Sequence, residues 1–260
     1  MGKIDASQNT FFWNLYGRCY DGINTAIPYR GLLYEIYVQL ELKPDQKVLD
    51  AGCGTGNFEK FLSTRSTPQI KIEAVDFSEV MLKRARRKCR DLDFANFSFA
   101  DLNQKLNYPD NTFDRIACIN VLYALEQPHF TLGELLRVLK PGGKIVATNP
   151  RPNAQFAPLL RDHFERIRNI WGFSRRTSEL LKTIIVLPTS GLVPILLNVF
   201  VIEQKGKKHE YHFLAKEEFA RIFEENNSQT IDIFPTYADQ NWLATAIKVP
   251  SSVPEDTLAV

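Results

Sequence analysis

The stretch at 47–58 constrains the fold more than any other part of the chain. After Lys47 it reads V-L-D-A-G-C-G-T-G-N-F. Val48 and Leu49 start a short apolar strand, Gly52, Gly54 and Gly56 punctuate a loop, and a helical pattern follows. Glycine has no Cβ, so the backbone of such a loop brings its N–H groups close to a ligand. Strand, glycine loop and helix in that order predict a nucleotide-type cofactor site at the head of a parallel sheet. A tight strand-to-helix turn without a ligand is the plainer alternative.

What the loop leaves out narrows the ligand. A dinucleotide fingerprint, G-x-G-x-x-G, places its last glycine where this chain has Asn57. Asp50, at the strand end, would repel a pyrophosphate and suit a cation. S-adenosylmethionine (SAM) carries a sulfonium and an ammonium and no phosphate. The pattern D-x-G-x-G-x-G resembles motif I of the class I SAM-dependent methyltransferases. The resemblance implies SAM as cofactor, held at Asp50, Gly52 and Gly54.

The 260 residues suffice for one α/β domain with a large insertion. A 44% hydrophobic fraction fits a chain that buries a full core. A net charge of +2 gives no argument for a polyanionic partner, so no nucleic acid is expected. Cys19, Cys53, Cys89 and Cys118 are scattered, and with four histidines they indicate neither a zinc site nor a disulfide framework. Free thiols, and a start without the charged-then-apolar pattern of a signal peptide, lead to the expectation of a cytoplasmic setting.

Residues 1–45 read as an N-terminal helical lid. Phe11, Phe12, Trp13, Leu15, Tyr16 and Tyr20 come first. Leu32, Leu33, Ile36, Tyr37 and Leu40 follow at helical spacing. Tyr20-Asp21-Gly22-Ile23-Asn24 resembles the Y-D-x-x-N segment of the ubiquinone/menaquinone C-methyltransferases and is similar to related lipid N-methyltransferases. There the N-terminal aromatics close over SAM, which implies a place for Tyr20 beside the cofactor. Phe11, Phe12 and Trp13 read better as packing residues.

A SAM-binding α/β core is expected at 46–150. The second strand ends at Asp76, a carboxylate placed to accept from both ribose hydroxyls. Phe77 could pack on the adenine face, with Met81 close behind it, and Ser78 is a good N-cap for the next helix. The basic run at 83–88 on that helix reads as a solvated face, because its charges fall all round the helix. The third strand ends at Asp101 and Leu102. Their resemblance to the family implies a carboxylate on the adenine amino group and an amide on a ring nitrogen. The fourth strand ends at Asn120-Val121-Leu122-Tyr123, where SAM and acceptor should meet. Enzymes that methylate nucleic-acid bases usually carry N-P-P-Y there, and this chain has no proline, which favours the small-molecule and lipid branch. In that branch the residue matching Asn120 often meets the methionine end of SAM through its backbone. Thr131-Leu132-Gly133-Glu134 reads as a capping box opening a helix. Alternating strands and helices predict a doubly wound, mainly parallel sheet. The family adds seven strands, the last one antiparallel.

The segment 151–213 reads as an inserted apolar cap, 214–250 as the remainder of the core, and 251–260 as a frayed tail. The run at 184–202 carries no charge and is flanked by Arg175, Arg176 and Lys182 before it and Lys205, Lys207 and Lys208 after it. Three readings compete. A membrane span has the length, but Pro188, Gly191 and Pro194 break its helix. A greasy cap over an apolar acceptor is the second reading. The same cap resting on a membrane surface is the third.

Methyl transfer from SAM is an in-line displacement, so alignment and exclusion of water are the protein's main work. Tyr16, Tyr20 and Tyr123 are available to stabilise the spreading positive charge. A phenol or acidic carbon would also need a base, for which His129 and His163 are candidates. The expected activity is methylation of a hydrophobic small-molecule or lipid acceptor at nitrogen, oxygen or carbon. The alternatives are an RNA or protein methyltransferase and a non-catalytic SAM-binding protein on the same fold.

Overall fold

The computed structural model describes residues 20–65, 69–155, 157–186, 211–226 and 228–249. Phe11, Phe12, Trp13, Leu15, Tyr16 and most of the uncharged run at 184–202 lie outside the described residues, as does the side chain of Tyr20.

Seven strands form one sheet: β1 (Lys47–Ala51), β2 (Lys71–Asp76), β3 (Ala95–Phe99), β4 (Phe113–Ile119), β5 (Leu139–Pro150), β6 (Ser228–Thr236) and β7 (Asn241–Lys248). Their order is β3-β2-β1-β4-β5-β7-β6. The pairs from β3 to β5 are all parallel, and β7 runs antiparallel to both β5 and β6. The chain leaves β1 toward β2 on one side and returns to place β4 on the other. The crevice above the β1–β4 boundary is therefore the switch point where ligands of such sheets bind.

Alternation along the strands divides the apolar residues between two faces. Leu49, Ile116, Ile145 and Ala244 face a core closed by α4 (Pro128–Val138) and α7 (Lys216–Glu224). Val48, Ala117, Val146 and Leu243 face the other, closed by α1 (Ile27–Leu40), α2 (Asn57–Leu62) and α3 (Glu79–Lys88). Leu32, Leu33, Ile36 and Leu40 are the buried stripe of α1, as their spacing predicts.

Two local expectations need correction. Helix α4 starts at Pro128, and Thr131 sits inside it; the Thr131 hydroxyl donates to Leu102 O at 2.8 Å instead of capping a first turn. A proline at the first helical position replaces the capping box. The basic run on α3 is not all solvated. Lys83 and Arg87 are exposed, but both Arg86 Nε and Nη2 donate to Phe97 O, and the Lys88 ammonium is drawn into a polar cluster.

Between β5 and α7 the chain forms α5 (Ala157–Arg168) and α6 (Phe173–Val186). His163 ties both to α1. Its Nδ1 accepts from Ile27 N–H at 3.1 Å, and Nε2 lies 3.0 Å from Thr183 Oγ1. Arg30 of α1 pairs with Glu179 of α6 at 2.6 Å. His163 is thus a buried brace between helices, which explains its place in the sequence without a role as base. Among the described residues no helix is long and apolar enough to cross a membrane.

Candidate cofactor site

The loop after β1 is built by backbone geometry. Gly52, Gly54 and Gly56 all have positive φ, at 84°, 55° and 76°. At Gly52 a Cβ would overlap Val121 of the loop after β4, so the β1 and β4 loops close on each other only because this residue is glycine. Gly52 and Cys53 N–H both donate to Val75 O, at 2.8 and 2.9 Å, which fastens the loop to the end of β2.

Asp76, at that strand end, is 8% exposed. Its Oδ2 accepts from Gly54 N–H at 2.9 Å and its Oδ1 from Ser78 N–H at 2.8 Å. Burial pushes its pKa up to about 6, against the pull of those backbone donors. The Phe77 N–H also acts on this carboxylate, which still has lone-pair capacity for a ligand hydroxyl. Ser78 caps α3 by accepting from Met81 N–H, and the Met81 side chain is buried beneath this turn.

Asp50 and Glu59 are a pair of acids beneath the loop. Both are almost fully buried and interact with each other, and no other described residue offers a hydrogen bond to Asp50 Oδ1 or to the Glu59 carboxylate oxygens. Burial, reinforced by the neighbouring Glu59 and Asp76 carboxylates, pushes Asp50 well above the usual range. Burial also raises Glu59. Lys88 offsets only part of the burial of Glu59, and a cationic ligand at the mouth of β1 would favour the ionised form of Asp50. SAM, with a diol for Asp76 and a cationic end near Asp50, fits the residues present.

The other expected positions ring the same edge. Asp101 lies at the end of β3, where its Oδ1 accepts from Asn103 N–H at 2.9 Å, and Leu102 is buried behind it. Asn120 follows β4 with φ 55°, and its Oδ1 accepts from Thr148 Oγ1 and from Asn241 Nδ2 at 2.6 Å. Tyr123 is buried, edge-on to Tyr211 at 5.1 Å and near Phe213 at 5.9 Å. His129 is exposed near the start of α4, 3.5 Å from Glu225 after α7. The backbone of Tyr20 opens a 3₁₀ turn, Tyr20–Thr25.

Sequence reasoning missed a ring of polar contacts that holds the loop from outside. Asp21 and Asn24 of the 3₁₀ turn meet Thr55, Asn57 and Lys88 in one polar cluster. Asn57 counted only as a missing glycine, and Lys88 was hidden in a basic run. Asn24 matches the last letter of Y-D-x-x-N, so the motif was the available signal. Among the described residues no group of histidine, cysteine or acidic side chains could hold a metal ion.

Comparison with known proteins agrees with this geometry. The family described as a methyltransferase domain matches residues 42–227. A demethylmenaquinone methyltransferase of Geobacillus is 30% identical over 59% of this chain and 68% of its own length. Phosphoethanolamine N-methyltransferase 3 of Arabidopsis thaliana is 26% identical over 72% of this chain and 39% of its own. The chain spans 45% of a second demethylmenaquinone methyltransferase, from Symbiobacterium thermophilum. A SAM-dependent methyltransferase structure from Aquifex aeolicus superposes with a TM-score of 0.58 at 18% identity, over 88% of this chain and 98% of that one. A geranyl diphosphate methyltransferase in complex with SAM gives 0.57 at 14% identity, over 85% of each chain. The chain belongs to the methyltransferase domain family and is a class I SAM-dependent methyltransferase.

Proposed function

We propose that this methyltransferase acts on an apolar small-molecule or lipid acceptor bound above the C-terminal ends of β4 and β5. One observation carries the reading: the strand-end side chains of that rim are amides, hydroxyls and apolar or aromatic groups, and the charge beside them is spent within the protein, the Arg151 guanidinium lying over the Trp242 ring at 4.2 Å and pairing with Asp239. The rim is made of Asn120, Val121, Leu122 and Tyr123 after β4, Thr148 and Asn149 on β5, and Asn241 and Trp242 on β7. Amides and aromatics orient a weakly polar acceptor and offer a phosphate backbone little positive charge to neutralise it. The chain's likeness to the quinone and phosphoethanolamine enzymes fits a small acceptor.

In this reading Asp76 accepts from the ribose hydroxyls, Asp101 and the Leu102 amide hold the adenine edge, and Phe77 and Met81 flank its ring. Gly52, Gly54 and the Asn120 backbone cradle the methionine end, with Asp50 as distant counter-charge. Tyr20, on the motif alone, and Tyr123 are assigned to the acceptor side, and a base, where the acceptor needs one, is assigned to His129, with His212 beside Tyr123 as a further described histidine. SAM supplies a methyl group already activated by its sulfonium, so the protein aligns and dries the site. The domains divide into a lid at 1–45, a core at 46–150 completed by 214–250, a cap at 151–213 and a tail at 251–260.

The test is calorimetric titration with SAM, followed by incubation of labelled SAM with polar and lipid extracts. Micromolar binding by the wild type, lost in Asp76→Ala, and label in an apolar product are expected. Label in RNA or protein instead would overturn the acceptor assignment.

A membrane-surface role for the cap has its own support. Trp171 is 93% and Phe173 86% exposed at the start of α6, and Leu180, Leu181, Ile184 and Ile185 continue that face beside Arg175, Arg176 and Lys182. An apolar stripe edged by cations suits an anionic lipid surface. Co-sedimentation with phosphatidylserine-containing vesicles, reduced in a Trp171→Ser/Phe173→Ser double variant, is the expected result. Equal sedimentation of the two proteins would remove the assignment.

A further inference from the structure

We propose that Lys88 is a positioning residue of the cofactor site, the pin that fixes the N-terminal turn onto the glycine loop. The proposal rests on the SAM-binding reading and names how that site is held closed. Lys88 is the last residue of α3, and its side chain turns away from the other charges of its run toward the loop after β1. Its ammonium donates to three acceptors: Asp21 Oδ1 at 2.5 Å, Thr55 Oγ1 at 2.9 Å and Asn57 Oδ1. An ammonium has three N–H donors, so each is used.

The acceptors come from two separate parts of the chain. Thr55 and Asn57 flank Gly56 in the glycine loop, while Asp21 belongs to the 3₁₀ turn Tyr20–Thr25. The two parts also bond to each other directly. Thr55 Oγ1 donates to Asp21 Oδ1 at 2.6 Å, and Asn24 Nδ2 donates to Asn57 Oδ1 at 2.7 Å. Asn57 Nδ2 reaches Tyr29 OH of α1 at 3.5 Å. Removing the ammonium would leave Asp21 and Asn57 oxygens facing one another across the joint with no cation between them. The side chain of Lys88 is 20% exposed and that of Asp21 41%, so the ammonium end of this ion pair is partly withdrawn from water while the carboxylate still meets it.

The geometry also separates lysine from arginine. Three acceptors converge on one nitrogen, which suits a compact ammonium. A planar guanidinium spreads its donors over a fork and cannot meet all three from the same stem. Thus Lys88→Arg keeps the charge and loses the convergence.

The experiment combines hydrogen exchange on the cofactor-free protein with SAM titration of the wild type, Lys88→Met, Lys88→Arg and Asp76→Ala. In Lys88→Met, amides of residues 22–26 should exchange at least tenfold faster while those of β1 and β4 stay protected. SAM affinity should fall about tenfold, with the arginine variant between the two. Asp76→Ala should lose SAM without loosening the turn. Absence of SAM binding by the wild type would defeat the functional reading, whereas the exchange result would still judge the pin. Unchanged exchange in Lys88→Met would overturn the proposal. So would faster exchange with wild-type affinity, because the pin would then hold the turn without positioning the site. If Lys88→Met lost protection throughout the sheet, Lys88→Arg and Asp21→Asn would serve in its place, and unchanged affinity in both would overturn the proposal.

Discussion

Asp76 accepts two backbone N–H groups and still has a pKa near 6, because burial outweighs them. Its carboxylate form accepts from a diol better than its acid form. SAM affinity should therefore be flat above pH 7 and fall by about tenfold per pH unit well below 6, in proportion to the ionised fraction. Calorimetry across that range checks it, and Asp76→Asn should bind weakly with a flat profile. A second residue-scale prediction concerns Gly52. Alanine there must adopt φ 84° and meet Val121, with Cγ1 at 3.0 Å. The expected loss is about 2 to 5 kcal/mol of stability by denaturant titration. Val121→Ala in the same chain should recover part of the packing loss and none of the backbone strain. Sequence alone identified Asp76 and the three loop glycines, because these residue types have few structural reasons to stand at strand ends. It could not show that Gly52 is also demanded by Val121, a contact between residues far apart in the chain.

At the scale of elements, α1, α5 and α6 depend on one neutral imidazole. Nδ1 of His163 is an acceptor for Ile27 N–H, and the Thr183 hydroxyl donates to Glu179 O, so Nε2 carries the proton. Burial and Arg30 of α1 hold the His163 pKa below its usual 6.5, against Glu179 of α6 and Asp162 of α5. A lowered folded pKa means that the unfolded chain takes up the proton first as pH falls. The contribution is present in full above about 6.5 and is lost below it, toward the folded pKa. Going from pH 7.5 to 5.5, the wild-type protein should lose melting temperature relative to His163→Gln, because the buried acids Asp50, Glu59 and Asp76, which shift stability the other way, are common to both. His163→Gln should also be the less stable of the two at pH 7.5. Strands β1 to β5 were legible because each buried run ends in a turn or a functional residue. The start of α4 was not, since Pro128 and Thr131 are both credible first-turn residues and only the Leu102 carbonyl decides between them. The brace at His163 was equally invisible, because its partners come from two other helices, α1 and α6.

The whole molecule is one sheet with a core on each face, and its ligand edge joins pieces from several loops. A ligand that binds only this assembled edge stabilises the whole fold. With SAM at 100 times its dissociation constant the gain is about 2.7 kcal/mol, a rise in melting temperature of roughly 5–10 °C. A thermal-shift assay should show that rise with SAM and none with NADH. The doubly wound order was legible from alternation alone. Family resemblance supplied the antiparallel sense of β7, but its place between β5 and β6 was not legible, since nothing in its residues says that it pairs with β5 rather than lying outside β6. That placement has a consequence for the nascent chain. β5 leaves the ribosome with Ile145, Val146 and Ala147 ready to pair, but its neighbour begins only at Asn241. At about 5 to 20 residues per second, the roughly 90 residues between them keep that edge open for about 5 to 20 s of translation. For that interval a hydrophobic strand edge stands unpaired, which makes this the moment at which a chaperone, or aggregation, has its claim on the chain.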